Sequence, residues 1–196
     1  MYSESITDPS TFWSAIASEF HWKEPWDPAN TVQGNFDTTK GPISTSFFSG
    51  AKTNIAWNCL DEQISKGRGD TAAFVWEGNG LGENKTMSYS EVCSEVNKLA
   101  NWLRRIGVEK GDRVIIYMPM ILELPISMLA CARIGAVHGV VFAGFSAESL
   151  SQRLIDSEAK TILTCNAVLR GTKLLDLKSI VDNAIELGED RCRITH

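Results

Sequence analysis

Arg113-Val114-Ile115-Ile116-Tyr117-Met118 is an almost unbroken apolar run, the pattern of a strand covered on both faces. Val137 to Phe142 repeats it, and Thr161-Ile162-Leu163-Thr164-Cys165 supplies a third run; the starts at 113, 137 and 161 are spaced by 24 residues. Between the first two lies Ile121 to Ile134, a buried-helix pattern with Pro125 in its first turn and Gly135 as its stop. Between the second and third, Ser146 is placed to cap a helix running to about Asp156. Parallel strands need a crossover long enough for a helix, and these intervals are that long. The fold class expected is therefore α/β, built on a parallel βαβ sheet. A further helix is expected over Lys173 to Leu187, with Leu174, Leu177, Ile180, Val181, Ala184 and Ile185 on one face. Arg191 to His196 reads as the approach to a fourth strand.

Upstream of the first run, Ala72-Ala73-Phe74-Val75-Trp76 reads as a strand, followed by a plain loop at Gly78, Gly80 and Gly82. Ser88 with Glu91 three residues later is a capping box. Tyr89, Val92, Val96, Leu99, Leu103 and Ile106 then form one apolar stripe. Gly107 ends that helix as a left-handed cap. Residues 1 to 60 differ in character. They hold Trp13, Trp22, Trp26 and Trp57 and four of the six prolines, with little periodicity. A short helix from Thr11 to Phe20 behind Ser10 is expected, and otherwise loops pinned by large aromatics. The division expected is an aromatic-rich wrapping extension over residues 1–62 and the first part of a larger α/β domain over 63–196.

The chain of 196 residues is 43% hydrophobic with a formal net charge of -5. That balance argues against a nucleic-acid partner, which calls for a basic surface. The longest apolar stretch, Ile121 to Ile134, is too short and too interrupted to span a bilayer, so no membrane partner is expected. The first twenty residues carry Glu4, Asp8 and Glu19 and no basic residue, unlike a targeting peptide. A cytoplasmic location is expected, with an organelle such as a plastid or mitochondrion left open. Cys59, Cys93, Cys131, Cys165 and Cys192 are odd in number and widely spaced. They suggest neither a disulfide framework nor a zinc site. His21, His138 and His196 lack metal-ligand spacing, and His138 fits a core residue of its strand. No metal site is expected.

Ligands of open α/β sheets gather outside the carboxyl ends of the strands. Three segments occupy those ends: Tyr117 to Met120, Phe142-Ala143-Gly144-Phe145-Ser146, and Asn166 to Lys173. Ala143 and Gly144 are small enough for a flat ring to lie against the backbone, although a tight turn without a ligand would read the same. Arg170-Gly171-Thr172-Lys173 puts two cations three residues apart at what is read as a helix start. Cations are disfavoured there unless an anion lies between them, and the alternative is a solvated basic turn. Neither a G-x-G-x-x-G nor a G-x-x-x-x-G-K-[ST] phosphate loop is present, and no G-x-S-x-G elbow.

Leu129-Ala130-Cys131-Ala132-Arg133-Ile134-Gly135-Ala136-Val137-His138, followed by Val140-Val141-Phe142-Ala143-Gly144-Phe145-Ser146, closely resembles the AMP-forming acetyl-CoA synthetases. Phe12-Trp13, Phe20-His21-Trp22, Thr53 to Asp61 and Trp76-Glu77-Gly78-Asn79 resemble that family's amino-terminal extension and its junction. The resemblance implies the start of the large amino-terminal domain of the adenylate-forming fold. It implies an acid–thiol ligase with the substrates acetate, ATP and CoA. Acetate and Mg-ATP give acetyl-adenylate and pyrophosphate, and the CoA thiol then takes the acetyl group and releases AMP. By the same resemblance Arg170, Gly171, Thr172 and Lys173 hold the 3′-phosphate of CoA, and Phe142, Ala143 and Gly144 flank its adenine. The family's phosphate loop, ribose site, acetate pocket and catalytic lysine match nothing here. The expectation is an amino-terminal portion that carries part of the CoA site, no catalytic residue, and no ATP or Mg site, and is inactive alone. The oligomeric state stays open. The alternatives are a propionyl-CoA or other short-chain acyl-CoA synthetase, or a non-catalytic CoA-binding module.

Overall fold

In the computed structural model, which describes residues 1–196, the chain divides into two units, Met1–Asn58 and Cys59–His196. The amino-terminal unit opens with helices α1 (Tyr2–Thr7) and α2 (Pro9–Ala17). Asp8, not Ser10, caps α2: its carboxylate accepts from the Thr11 N–H at 3.1 Å. Pro9 at the first helical position moves the start ahead of the one expected, because its missing N–H costs nothing there. An antiparallel pair, β1 (Val32–Asn35) and β2 (Ser44–Phe47), follows. The buried residues of the amino-terminal unit are only Ala17, Thr31 and Ala56. Aromatic edges hold the rest: Trp22, Trp26 and Phe48 meet pairwise with centroids 4.9–5.4 Å apart. Their polar tips are satisfied, with Trp22 Nε1 donating to the Ala17 carbonyl at 2.8 Å and Trp26 Nε1 to Thr31 Oγ1 at 2.9 Å.

In the second unit, helical turns at its start, among them Ile64–Arg68, lead into an antiparallel hairpin of β3 (Ala72–Glu77) and β4 (Asn84–Ser88). The glycine-rich segment expected as a plain loop is its turn. Helix α3 (Tyr89–Arg105) starts at the capping box read in the sequence: Ser88 Oγ accepts from the Glu91 N–H at 3.2 Å, and the Glu91 carboxylate accepts from the Ser88 N–H at 2.7 Å. Gly107 follows its end at φ +91°, a conformation glycine adopts without a Cβ clash.

Strand β5 (Arg113–Met118), helix α4 (Glu123–Ile134), strand β6 (Val137–Phe142), helix α5 (Ala147–Ser157) and strand β7 (Thr161–Thr164) complete the βαβ pattern. The sheet order is β6-β5-β7 and both pairings are parallel, with Val114 facing His138 on one side and Thr161 on the other. The central strand splits its side chains between two layers. Val114 joins the cluster of Val92, Val96, Leu103 and Ala130 from α3 and α4. Ile115 and Tyr117 point the other way, to Leu150, Leu154, Leu177 and Val181. Only β5 is covered on both faces; β6 lies at the edge and leaves Val137, Val140 and Phe142 exposed, contrary to its apolar sequence.

The last expected helix is shorter and later. Residues 167–176 form a second hairpin, β8 (Ala167–Arg170) and β9 (Lys173–Asp176), and helix α6 spans Leu177–Gly188. Asp176 caps α6 by accepting from the Ser179 N–H at 2.9 Å and from its hydroxyl at 2.7 Å. Leu177, Val181 and Ala184 form its buried face as expected, but Leu174 belongs to β9 and is exposed. At the end of the chain the Ile162 N–H donates to the His196 carbonyl at 3.0 Å, and the His196 N–H to the Lys160 carbonyl at 3.2 Å. That is the first rung of a parallel ladder on the free side of β7, where the fourth strand was expected. No helix is long and apolar enough to cross a membrane.

Candidate functional site

The segment after β6 turns sharply into α5. Ser146 caps α5 through its hydroxyl and the Ser149 N–H at 3.3 Å. The turn depends on Gly144, whose φ is +101°, and on Tyr117 beneath it. Tyr117 is wholly buried in β5. Its hydroxyl accepts from the Gly144 N–H at 3.0 Å and donates to the Phe145 carbonyl at 2.8 Å. With that amide occupied, the turn offers a flat backbone surface more than a phosphate cradle. Phe142 and Phe145 border it, 6.3 Å apart and both exposed, and the Arg153 guanidinium lies 5.0 Å over the Phe145 ring.

The second candidate segment is a hairpin tip, not a helix start. Arg170 and Lys173 are register partners that close the β8–β9 loop, and Gly171 sits between them at φ +63°. The helix-dipole argument for an anion between these cations therefore falls, since α6 begins four residues after Lys173 and is capped by Asp176. Geometry supplies a different reason to join them. Across the hairpin, Arg170 and Lys173 stand side by side as exposed cations. A Cβ built on Gly144 would lie 3.6 Å from Arg170 Nη1 and 3.8 Å from Leu175 Cδ1. The fold thus brings the Phe142-Ala143-Gly144 turn and the Arg170-to-Lys173 hairpin together, 26 residues apart in sequence from Gly144 to Arg170. Gly171, Thr172 and Lys173 are exposed at the tip.

Two further residues shape this region. The Asn79 side-chain amide donates to the Leu169 carbonyl at 2.7 Å, tying the β3–β4 turn to the hairpin one residue before Arg170. Thr164 Oγ1 donates to the Tyr117 carbonyl at 2.9 Å, across the neighbouring strands. His138 is half-buried in the edge strand, and burial lowers its pKa. Cys131 lies in the α3–α4 core, where burial pushes its thiol up to about 11. No group of three or more His, Cys, Asp and Glu side chains is arranged to hold a metal ion.

Comparison with known proteins also divides the chain, between residues 59 and 60. Residues 60–194 match the family described as AMP-binding enzyme, and residues 1–59 match the acetyl-coenzyme A synthetase N-terminus. The chain is 55% identical over 186 residues to the chloroplastic/glyoxysomal acetyl-coenzyme A synthetase of Arabidopsis thaliana, covering 95% of this chain and 25% of that protein. It is 48% identical over 190 residues to the acetyl-coenzyme A synthetase of Drosophila melanogaster, covering 96% and 28%. With that of Rubrobacter xylanophilus it shares 47% identity over 186 residues, covering 95% and 28%. The chain thus spans about a quarter of the length of these relatives. A parallel βαβ sheet, its strand-end turns and a family match over two-thirds of the residues lead to one conclusion: the chain belongs to the AMP-binding enzyme family.

Proposed function

We propose that this chain is the amino-terminal part of an acetyl-CoA synthetase, which joins acetate to CoA at the expense of ATP by way of acetyl-adenylate. Residues 1–62 act as the amino-terminal extension and residues 63–196 as the first part of the adenylate-forming domain. Its own contribution is one wall of the CoA site, with adenylate chemistry performed by residues outside these 196.

The observation that carries this reading is the closeness of Arg170 to the Gly144 backbone, with Lys173 opposite Arg170 across the hairpin. CoA presents an adenine ring with a dianionic 3′-phosphate a few bonds away. A small-residue turn lets the ring lie against the backbone. Two adjacent cations then receive the phosphate, each charged hydrogen bond contributing about 1.5–3 kcal/mol where water is partly excluded. Arginine can offer two parallel donors to the phosphate, whereas lysine adds a compact point charge. The reacting thiol lies at the far end of the ligand, so this wall binds and orients without touching the reacting atoms.

Calorimetric titration of the 196-residue chain with CoA and with 3′-dephospho-CoA tests the assignment. Tighter binding of CoA is expected, and equal affinities would reject the phosphate clamp. No acetate-dependent ATP–pyrophosphate exchange is expected from the chain by itself; clear exchange would mean that the adenylate chemistry lies within it.

A further inference from the structure

Tyr117 is the odd residue in Val114-Ile115-Ile116-Tyr117. It is wholly buried, as its neighbours are, and a phenylalanine would fill the same space. Only the hydroxyl distinguishes it, and that hydroxyl is used as acceptor and donor at once, to Gly144 N–H and to Phe145 C=O. A buried tyrosine hydroxyl needs a partner, and here both partners belong to one turn whose central glycine is at φ +101°. The remaining turn bond, Phe145 N–H to the Phe142 carbonyl, is long at 3.3 Å.

The hairpin on the other side has a comparable tether. Asn79 is exposed at a turn with its own internal bonds: Gly78 N–H donates to the Glu83 carbonyl at 2.6 Å, and Gly80 N–H to the Glu83 carboxylate at 3.1 Å. From that frame its amide reaches the Leu169 carbonyl. Residues 169–174 of the hairpin are exposed, and Val168 and Leu175 are its partly buried apolar anchors. Fixing the carbonyl next to Arg170 restrains the backbone from which its guanidinium reaches towards Gly144.

We infer that Tyr117 and Asn79 are positioning residues of the CoA subsite, the tyrosine hydroxyl setting the Phe142–Ser146 turn and the Asn79 amide setting the hairpin that carries Arg170. The inference rests on the CoA reading above. Neither residue touches the ligand; each acts through the segment it holds.

The test uses a full-length acetyl-coenzyme A synthetase carrying these 196 residues, with Tyr117→Phe, Asn79→Ala and Arg170→Ala made separately. Two quantities are read: the KM for CoA, and acetate-dependent ATP–pyrophosphate exchange, which needs no CoA. Tyr117→Phe and Asn79→Ala are each expected to raise the KM for CoA by about 2–12-fold, the equivalent of one hydrogen bond, while exchange keeps its rate. An unchanged KM, or a parallel fall in exchange that marks a general structural role, would overturn the inference. Should Tyr117→Phe fold poorly, Asn79→Ala, made at an exposed residue, decides alone by the same criteria. If Arg170→Ala leaves the KM unchanged, the CoA reading itself fails. If Arg170→Ala raises it and the other two do not, only the positioning roles fail.

Discussion

Replacing Gly171 with alanine separates the two ways of folding Arg170-Gly171-Thr172-Lys173. Gly171 is the first of two residues joining β8 to β9, at φ +63°, the position that a type II′ turn reserves for glycine. A Cβ there would meet no atom within 4 Å. The cost is therefore backbone strain alone, of order 1–3 kcal/mol. Were Gly171 instead at an ordinary negative φ ahead of a helix, the sign would reverse, because alanine at a compatible φ stabilises by about 0.4–1 kcal/mol through the unfolded chain. The tip is exposed, so the hairpin opens locally before the unit unfolds. The informative assay is amide hydrogen exchange at Arg170 and Lys173. Strain of that size corresponds to about 5–150-fold faster exchange, at 1.4 kcal/mol per tenfold. Slower exchange in the alanine variant, or a gain in stability, would refute the hairpin.

Three further outcomes follow from the core. Leu154 is wholly buried in the α5–α6 layer; Leu154→Ala should destabilise the second unit by about 2–5 kcal/mol, read as a lower urea midpoint at unchanged slope, and an unchanged midpoint would contradict that packing. Burial lowers the pKa of His138 from its usual 6.5. The unfolded chain therefore binds the proton more readily, and stability is full above pH 6.5 and declines as the pH falls towards the lowered value. His138→Gln should flatten that stretch of the stability–pH curve, and an unaltered slope would assign it to other groups. Cys131, fully buried with its thiol pushed up to about 11, should resist alkylation in the native chain at neutral pH and react only in denaturant; labelling without denaturant would show that the α3–α4 core opens.

The parallel sheet was legible because its signals are local. Apolar runs at 113, 137 and 161, the Ser88–Glu91 box and Gly135 each act within a few residues, and each appears where the sequence puts it. The β8–β9 hairpin was hidden because Leu174 continues the three- and four-residue spacing of Leu177 and Val181. Asp176, three residues before Ser179, was the available sign of a later helix start. The exposed face of β6 was hidden for another reason: a run such as Val137 to Phe142 says that a strand is apolar, and not whether the chain at hand supplies a cover. At the site, the reason for pairing Arg170 with Lys173 was a helix dipole that is not there, while residue types pointed separately to Gly144 and Arg170. Their closeness comes from folding β8–β9 back on the turn. Tyr117 and Asn79 left no pattern to find, since their partners lie 27 and 90 residues away, and an apolar count registers the ring of Tyr117 but not its hydroxyl.

The phosphate clamp is tested most directly by a full-length acetyl-coenzyme A synthetase carrying this chain, assayed for kcat/KM with CoA and with 3′-dephospho-CoA, with and without Arg170→Ala and Lys173→Ala together. The unaltered enzyme should prefer CoA by at least about 10–150-fold, the equivalent of one of the two charged hydrogen bonds to the 3′-phosphate, and the double variant should treat the two ligands alike. A double variant that kept the full preference would show that the phosphate is held elsewhere.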